Sequence, residues 1–120
     1  MTVPKRRPMG SLESEVLAAL WSADRPLNPG DVLEVAGIDV AYTTVMTILS
    51  RLWQKGLVDR ERSGRAYVYT PRISEADLAA SRMHEQLARA GDREAALGRF
   101  VGALSRRDER ILRKLLDGLR

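Results

Sequence analysis

The chain has 120 residues and a mass of 13.4 kDa, enough for about one domain with one modest core. Twenty Lys+Arg against sixteen Asp+Glu give a net charge of +4, a weak pointer to a polyanionic partner by itself. There is no cysteine and one histidine, His84, which removes disulfides, zinc–thiolate sites, iron–sulfur clusters and most His-based catalysis together.

Met1–Gly10 reads as a flexible basic arm, with Pro4 and Pro8 around Lys5, Arg6 and Arg7. Such an arm serves either in a minor groove or as a solubilising tail. No apolar stretch follows it and no run approaches the ~18 residues of a membrane span, so neither a signal peptide nor membrane insertion is expected. The expected location is the cytoplasm. Ser11 is an N-cap candidate for a helix with Leu12, Val16, Leu17, Leu20 and Trp21 at helical spacing and Glu13 and Glu15 in its first turn. It stops before Arg25-Pro26. Asn28 should cap a short second helix, with Pro29 at its first position, Asp31 three residues on and Gly37 as the stop. Ile38-Asp39-Val40 is long enough only for a stub of strand.

Tyr42–Lys55 is the most informative stretch. Val45, Ile48, Leu49, Leu52 and Trp53 form one apolar stripe, and Thr43, Thr44, Met46, Thr47, Ser50, Arg51 and Gln54 lie on the other side. Gly56 takes the C′ position after Lys55. Two β-rich runs, Leu57–Arg62 and Arg65–Thr70, flank Ser63-Gly64 and predict a hairpin. With Ser63-Gly64 as a two-residue loop, Val58 faces Tyr69 and Arg60 faces Tyr67. Helix, short helix, longer helix, hairpin is the order of a winged helix-turn-helix over residues 11–72. The fold class is therefore mainly α with a small β-hairpin.

Residues 73–120 return to helix. Ser74 with Asp77 matches a capping pattern, Asp92 and Ser105 start two further helices, and Gly91 ends the first. This region is too short to bury its apolar side chains alone, and nothing covalent staples it. Leu78, Leu87, Leu97, Phe100, Val101, Leu104, Ile111, Leu112, Leu115, Leu116 and Leu119 are thus expected to form a dimerisation surface, since a two-fold contact needs only one self-complementary patch. The alternative is a monomer with the tail folded back. His84 reads as a surface helix residue.

The outer face of Tyr42–Lys55 offers donors, acceptors and methyl groups, which is what a major groove requires. Thr43, Thr44, Thr47, Ser50 and Arg51 supply the polar contacts, Met46 can meet a thymine methyl, and Lys55 adds a cation. Threonines are poor helix formers, so three of them near a helix start call for a reason other than helix stability. Arg65, beside Gly64, puts a cation on the hairpin tip, where a wing reaches the flanking backbone or minor groove. Trp21 and Trp53 read as core.

Over AYTTVMTILSRLWQKGLVDRERSGRAYVYTP, Ala41–Pro71, the chain resembles the BlaI/MecI/CopY family of penicillinase-type repressors. The likeness is most specific at Thr44, Thr47, Arg51, Leu52, Lys55 and Gly56, and the helix LESEVLAALW fits the same pattern. It implies a dimeric repressor on a dyad-symmetric operator of double-stranded DNA, of the kind that controls β-lactam-resistance genes. It also implies relief by proteolysis near the C-terminus, through a protease linked to a membrane sensor. Where β-lactam-responsive members are cut at Asn-Phe, this chain has Arg99-Phe100. Copper-responsive members carry a C-terminal cysteine motif, and this chain has none. No cofactor or metal is expected. The rival readings are an architectural or accessory DNA-binding protein without a defined operator, and a winged helix used for protein contact. An enzyme fits least, for want of a paired base and nucleophile.

Overall fold

Helix α1 spans Met9–Ala23 in the computed structural model, which describes residues 9–119. Residues 1–8 of the expected basic arm, with Lys5, Arg6 and Arg7, lie outside the described residues, while Met9 and Gly10 belong to α1 instead. Because α1 begins at Met9, Ser11 sits inside its first turn and is not its cap, and Glu13 and Glu15 fall beyond that turn. Leu12, Val16, Leu17, Ala19 and Leu20 form the buried face of α1.

Helix α2, Pro29–Ala36, is built as its sequence dictates. The Asp31 N–H donates to Asn28 Oδ1 at 2.8 Å, and the Asn28 N–H donates back to Asp31 Oδ2 at 3.2 Å. This reciprocal cap satisfies two amides that the first turn would otherwise leave unpaired. Gly37 ends the helix at φ 62°, a conformation that a Cβ would strain. Helix α3, Tyr42–Gln54, buries Val45, Ile48, Leu49 and Leu52 completely. Trp53 departs from the expected core and is 41% exposed. It lies one residue, ~100° of helix rotation, beyond Leu52 and so leaves the apolar stripe.

The strands are β1, Val58–Ser63, and β2, Ala66–Pro71, paired antiparallel. Their register corrects the expected one. Ser63 pairs with Ala66, Arg60 with Tyr69 and Val58 with Pro71, so the two-residue turn is Gly64-Arg65 rather than Ser63-Gly64. Gly64 has φ 65°, and Arg65 is not among the residues with positive φ. That places the left-handed residue first in the turn, as in the type II′ turns that match strand twist. Each side chain keeps its face, because partners move by two residues and strand periodicity is two.

No strand forms at Ile38–Val40. The hairpin instead gains a single bridge at Leu27, whose N–H donates to Tyr69 O at 3.0 Å while the Tyr69 N–H donates to Leu27 O at 2.8 Å. The ladder cannot continue toward α2, since the next donor position is Pro29, which has no N–H. Helices α1, α2 and α3 pack together, β2 rests on α1 and β1 on α3. Leu27, Val32, Val58 and Tyr69 complete this core.

The described chain divides into two compact units at Asp77/Leu78. Helix α4, Glu75–Arg89, begins in the first unit. The segment before it is held to α1 by the Trp21 indole N–H, which donates to Ile73 O at 2.9 Å. Trp21 is half-buried. The second unit holds the rest of α4 with α5, Arg93–Gly102, and α6, Arg106–Asp117. The expected caps are present: Ser74 Oγ accepts from the Asp77 N–H, Asp92 Oδ1 from Ala95 and Ser105 Oγ from Asp108, at 3.0–3.1 Å. Yet among the described residues of this unit only Leu78 is buried.

Candidate nucleic-acid interface

Helix α3 presents two unlike faces. Opposite its buried stripe, Thr43, Met46, Thr47 and Arg51 are exposed, and Thr44 and Ser50 are half-buried. Met46 is 47% exposed, a large apolar side chain held in solvent without a neighbour to cover it. The Thr47 hydroxyl donates to Thr43 O at 3.0 Å, which leaves its methyl and oxygen lone pairs outward. The Arg51 guanidinium makes no hydrogen bond or ion pair among the described residues, so its donors are free. Ala41 has no side-chain oxygen to cap the helix, and no side chain does so in its place. The first amides of α3 are therefore open toward an anion.

Lys55 has a different surrounding. Its ammonium donates to both Glu13 carboxylate oxygens, at 3.1 and 3.2 Å. The Glu13 side chain is only 12% exposed, so this bond ties the C-terminal end of α3 to α1. A cation there also complements the carbonyl end of the helix dipole.

On the hairpin, Arg65 is exposed at the second position of the turn. One face of the strands carries Val58, Arg60 and Arg62 on β1 and Tyr67 and Tyr69 on β2, by alternation. Val58 and Tyr69 are buried at its base. Farther out, the Arg60 guanidinium lies 3.6 Å from the centre of the Trp53 ring and 4.3 Å from that of Tyr67. Arg62 is 6.0 Å from the Tyr67 ring, on the same face. The sequence reading placed Arg60 near Tyr67 on the hairpin but missed the Trp53 ring and hence the stack. The available signal was an aromatic residue one turn-step off the α3 stripe, together with an arginine and a tyrosine on one hairpin face.

In the second unit, the expected dimerisation residues are uncovered with one correction: Leu78 is already buried within the single chain and is core rather than open surface. Leu97, Phe100, Val101, Ile111, Leu115, Leu116 and Leu119 are exposed, and Leu87, Leu104 and Leu112 are half-buried. Met83, Leu87, Leu97 and Phe100 line an open apolar groove of about 560 Å³ between α4 and α5. The Arg99-Phe100 bond lies inside α5, with both side chains exposed.

A family model for the penicillinase repressor matches residues 9–118. The transcriptional regulator BlaI of Mycobacterium tuberculosis is 41% identical over 116 residues, covering 92% of this chain and 84% of that protein. The penicillinase repressor of Bacillus licheniformis is 32% identical over 79 residues, 64% of this chain and 61% of that protein. Among solved structures, that of the Bacillus licheniformis BlaI monomeric form in complex with the blaP half-operator is 31% identical. It covers 63% of this chain and 90% of its own, with a TM-score of 0.45.

Proposed function

The chain belongs to the penicillinase repressor family, and from that premise we propose that it works as a homodimer on a dyad-symmetric operator, one α3 per half-site. Family membership puts it with DNA-binding transcriptional repressors and not with enzymes. The observation that carries the reading is the division of α3: four residues buried completely, and opposite them an exposed face of threonines, Met46 and an unpaired Arg51. Thr43, Thr44, Met46, Thr47, Ser50 and Arg51 face the major groove, while Arg65 reaches the flanking backbone from the wing tip. Lys55 supports this face through Glu13.

The second unit supports the dimer. Its helices are well capped yet bury almost nothing, so a second copy is the economical cover for their apolar faces. Two linked copies suit a site of two half-sites about one helical turn apart. The name of the Bacillus relative points to genes of β-lactam resistance as targets. Cleavage at Arg99-Phe100, by a protease linked to a membrane sensor, would relieve repression by parting the copies. Helix α5 suits such a cut, because it buries no side chain and contains Gly98 in its interior, costing about 1 kcal/mol of helix propensity against Ala. Local opening of a segment of this kind is cheap.

Selecting bound duplexes from a random-sequence pool tests the reading. The expected product is an inverted repeat, and Arg51→Ala should weaken binding to it by roughly 1–3 kcal/mol with the fold intact. Recovery of sequences without enrichment would favour an architectural DNA-binding protein, and a single asymmetric site would remove the dyad.

A further inference from the structure

The Trp53–Arg60–Tyr67 stack joins the last turn of α3 to both strands of the wing, and none of its members was needed for the reading above. We infer that Arg60 is a preorganised contact for a DNA backbone phosphate at the junction of recognition helix and wing. The inference rests on the proposed DNA-binding face and extends it.

Three observations carry it. First, the guanidinium carbon lies 3.6 Å from the centre of the Trp53 ring and 4.3 Å from that of Tyr67, and the group makes no hydrogen bond or ion pair among the described residues. Its N–H groups are therefore left for a ligand, and a guanidinium presents paired donors matched to phosphate oxygens. Second, no carboxylate competes on this face. Asp59 and Glu61 point to the other side of β1 by alternation, and Asp59 is engaged with Arg72 at 3.5 Å. Third, the stack stands at the surface: Trp53 is 41% and Tyr67 38% exposed, more than two large rings need if their only role were to fill a core.

The geometry also selects the ligand. With two rings already packed against it, the guanidinium is poorly placed to stack on a base as well. Pinned back on Trp53, it is also not free to extend into a groove as Arg51 is. Phosphates line the outside of the duplex, where a short, fixed donor meets them. Arg62, on the same face and 6.0 Å from Tyr67, continues the basic line toward Arg65. The rings restrict the arginine before DNA arrives, so little side-chain freedom remains to be lost on binding.

The test is the salt dependence of affinity for a mixed-sequence duplex, because a phosphate contact contributes whatever the sequence. Each phosphate neutralised adds about 0.9 to the slope of log affinity against log salt. Arg60→Gln should therefore lower the slope by about 0.9 per bound protomer. Between 50 and 200 mM salt, the wild type should lose about 3.5-fold more affinity per protomer than the variant does. Arg60→Lys keeps the charge and should keep the slope. Arg89→Gln, an equal loss of charge in the second unit, should change it much less. An Arg60→Gln slope equal to that of the wild type, or a drop matched by Arg89→Gln, overturns the phosphate contact while leaving the α3 reading in place. Failure of the wild type to bind the duplex would sink both. A second measurement needs no variant: the Arg60 Nε–H resonance should shift as duplex is added to the intact protein. If it stays fixed while Arg51 moves, the contact is refuted.

Discussion

The two units spend similar apolar residues in opposite ways. In the first, Val16, Leu17, Val45, Ile48, Leu49 and Leu52 all vanish from solvent, and the helices owe their place to one shared core. In the second, α5 and α6 are started by side-chain caps of good geometry, yet Phe100, Val101, Leu115 and Leu119 remain 47–83% exposed. Helical spacing specifies a face in both. Only in the first does the chain also supply what covers it. Apolar periodicity therefore reports that burial must happen, and says nothing about whether one chain or two will accomplish it.

The widest separation of the two units comes from cutting between them functionally. A chain ending at Arg99 keeps the whole first unit but loses Phe100, Val101 and all of α6. It should lose ~10²–10⁴ in affinity for an inverted-repeat operator, the factor that linking two half-site contacts supplies. Its affinity for random DNA should change little. A gel-shift titration at fixed salt reads both numbers, and equal operator affinity for the two chains would show that the second unit does not hold the functional dimer.

Point substitutions set the same contrast on a smaller scale. Leu49→Ala in the first core should cost ~2–5 kcal/mol, the usual range for a buried leucine, at any protein concentration. Leu112→Glu in the second unit should instead produce monomers, because a carboxylate in an apolar interface must be desolvated without a partner. Sedimentation together with melting at two concentrations separates the effects. A full-strength dimer from Leu112→Glu would place α6 outside the interface. The smallest expected effect is Asn28→Ala, which removes one half of the α2 cap and should lower stability by about 1 kcal/mol in chemical denaturation. Loss of much more than that would mean Asn28 holds α2 in place through contacts other than the cap.

Much of this architecture is legible in the sequence wherever a local rule suffices. The Asn28–Asp31 cap, the ends at Gly37 and Gly56, the Asp92 and Ser105 caps and the α3 stripe each depend on residues a few positions apart. What escaped depends on distant partners or on near-equal choices. Ser63-Gly64 and Gly64-Arg65 both make a two-residue turn and leave every side chain on the same face, so patterning cannot choose between them. The Leu27 bridge pairs residues 27 and 69, and no local signal marks it. Lys55 looks like a groove cation until Glu13, 42 residues earlier, is seen beside it. Trp53 reads as core until its distance to Arg60 is known.

That stack has a consequence for how the protein can drift over generations. Residues 53, 60 and 67 come from a helix and two different strands, and Arg60 is the member that both rings share. Replacing Arg60 alone leaves two aromatic rings on the surface without their shared cation, and replacing either ring alone leaves the arginine held by one. Single steps away from the trio pass through poorer intermediates, so descendants should keep all three or exchange them together. The wing tip at Arg65, which leans on nothing, is free to vary one residue at a time. Lineages can thus retune the far end of the wing while its attachment to the recognition helix stays locked.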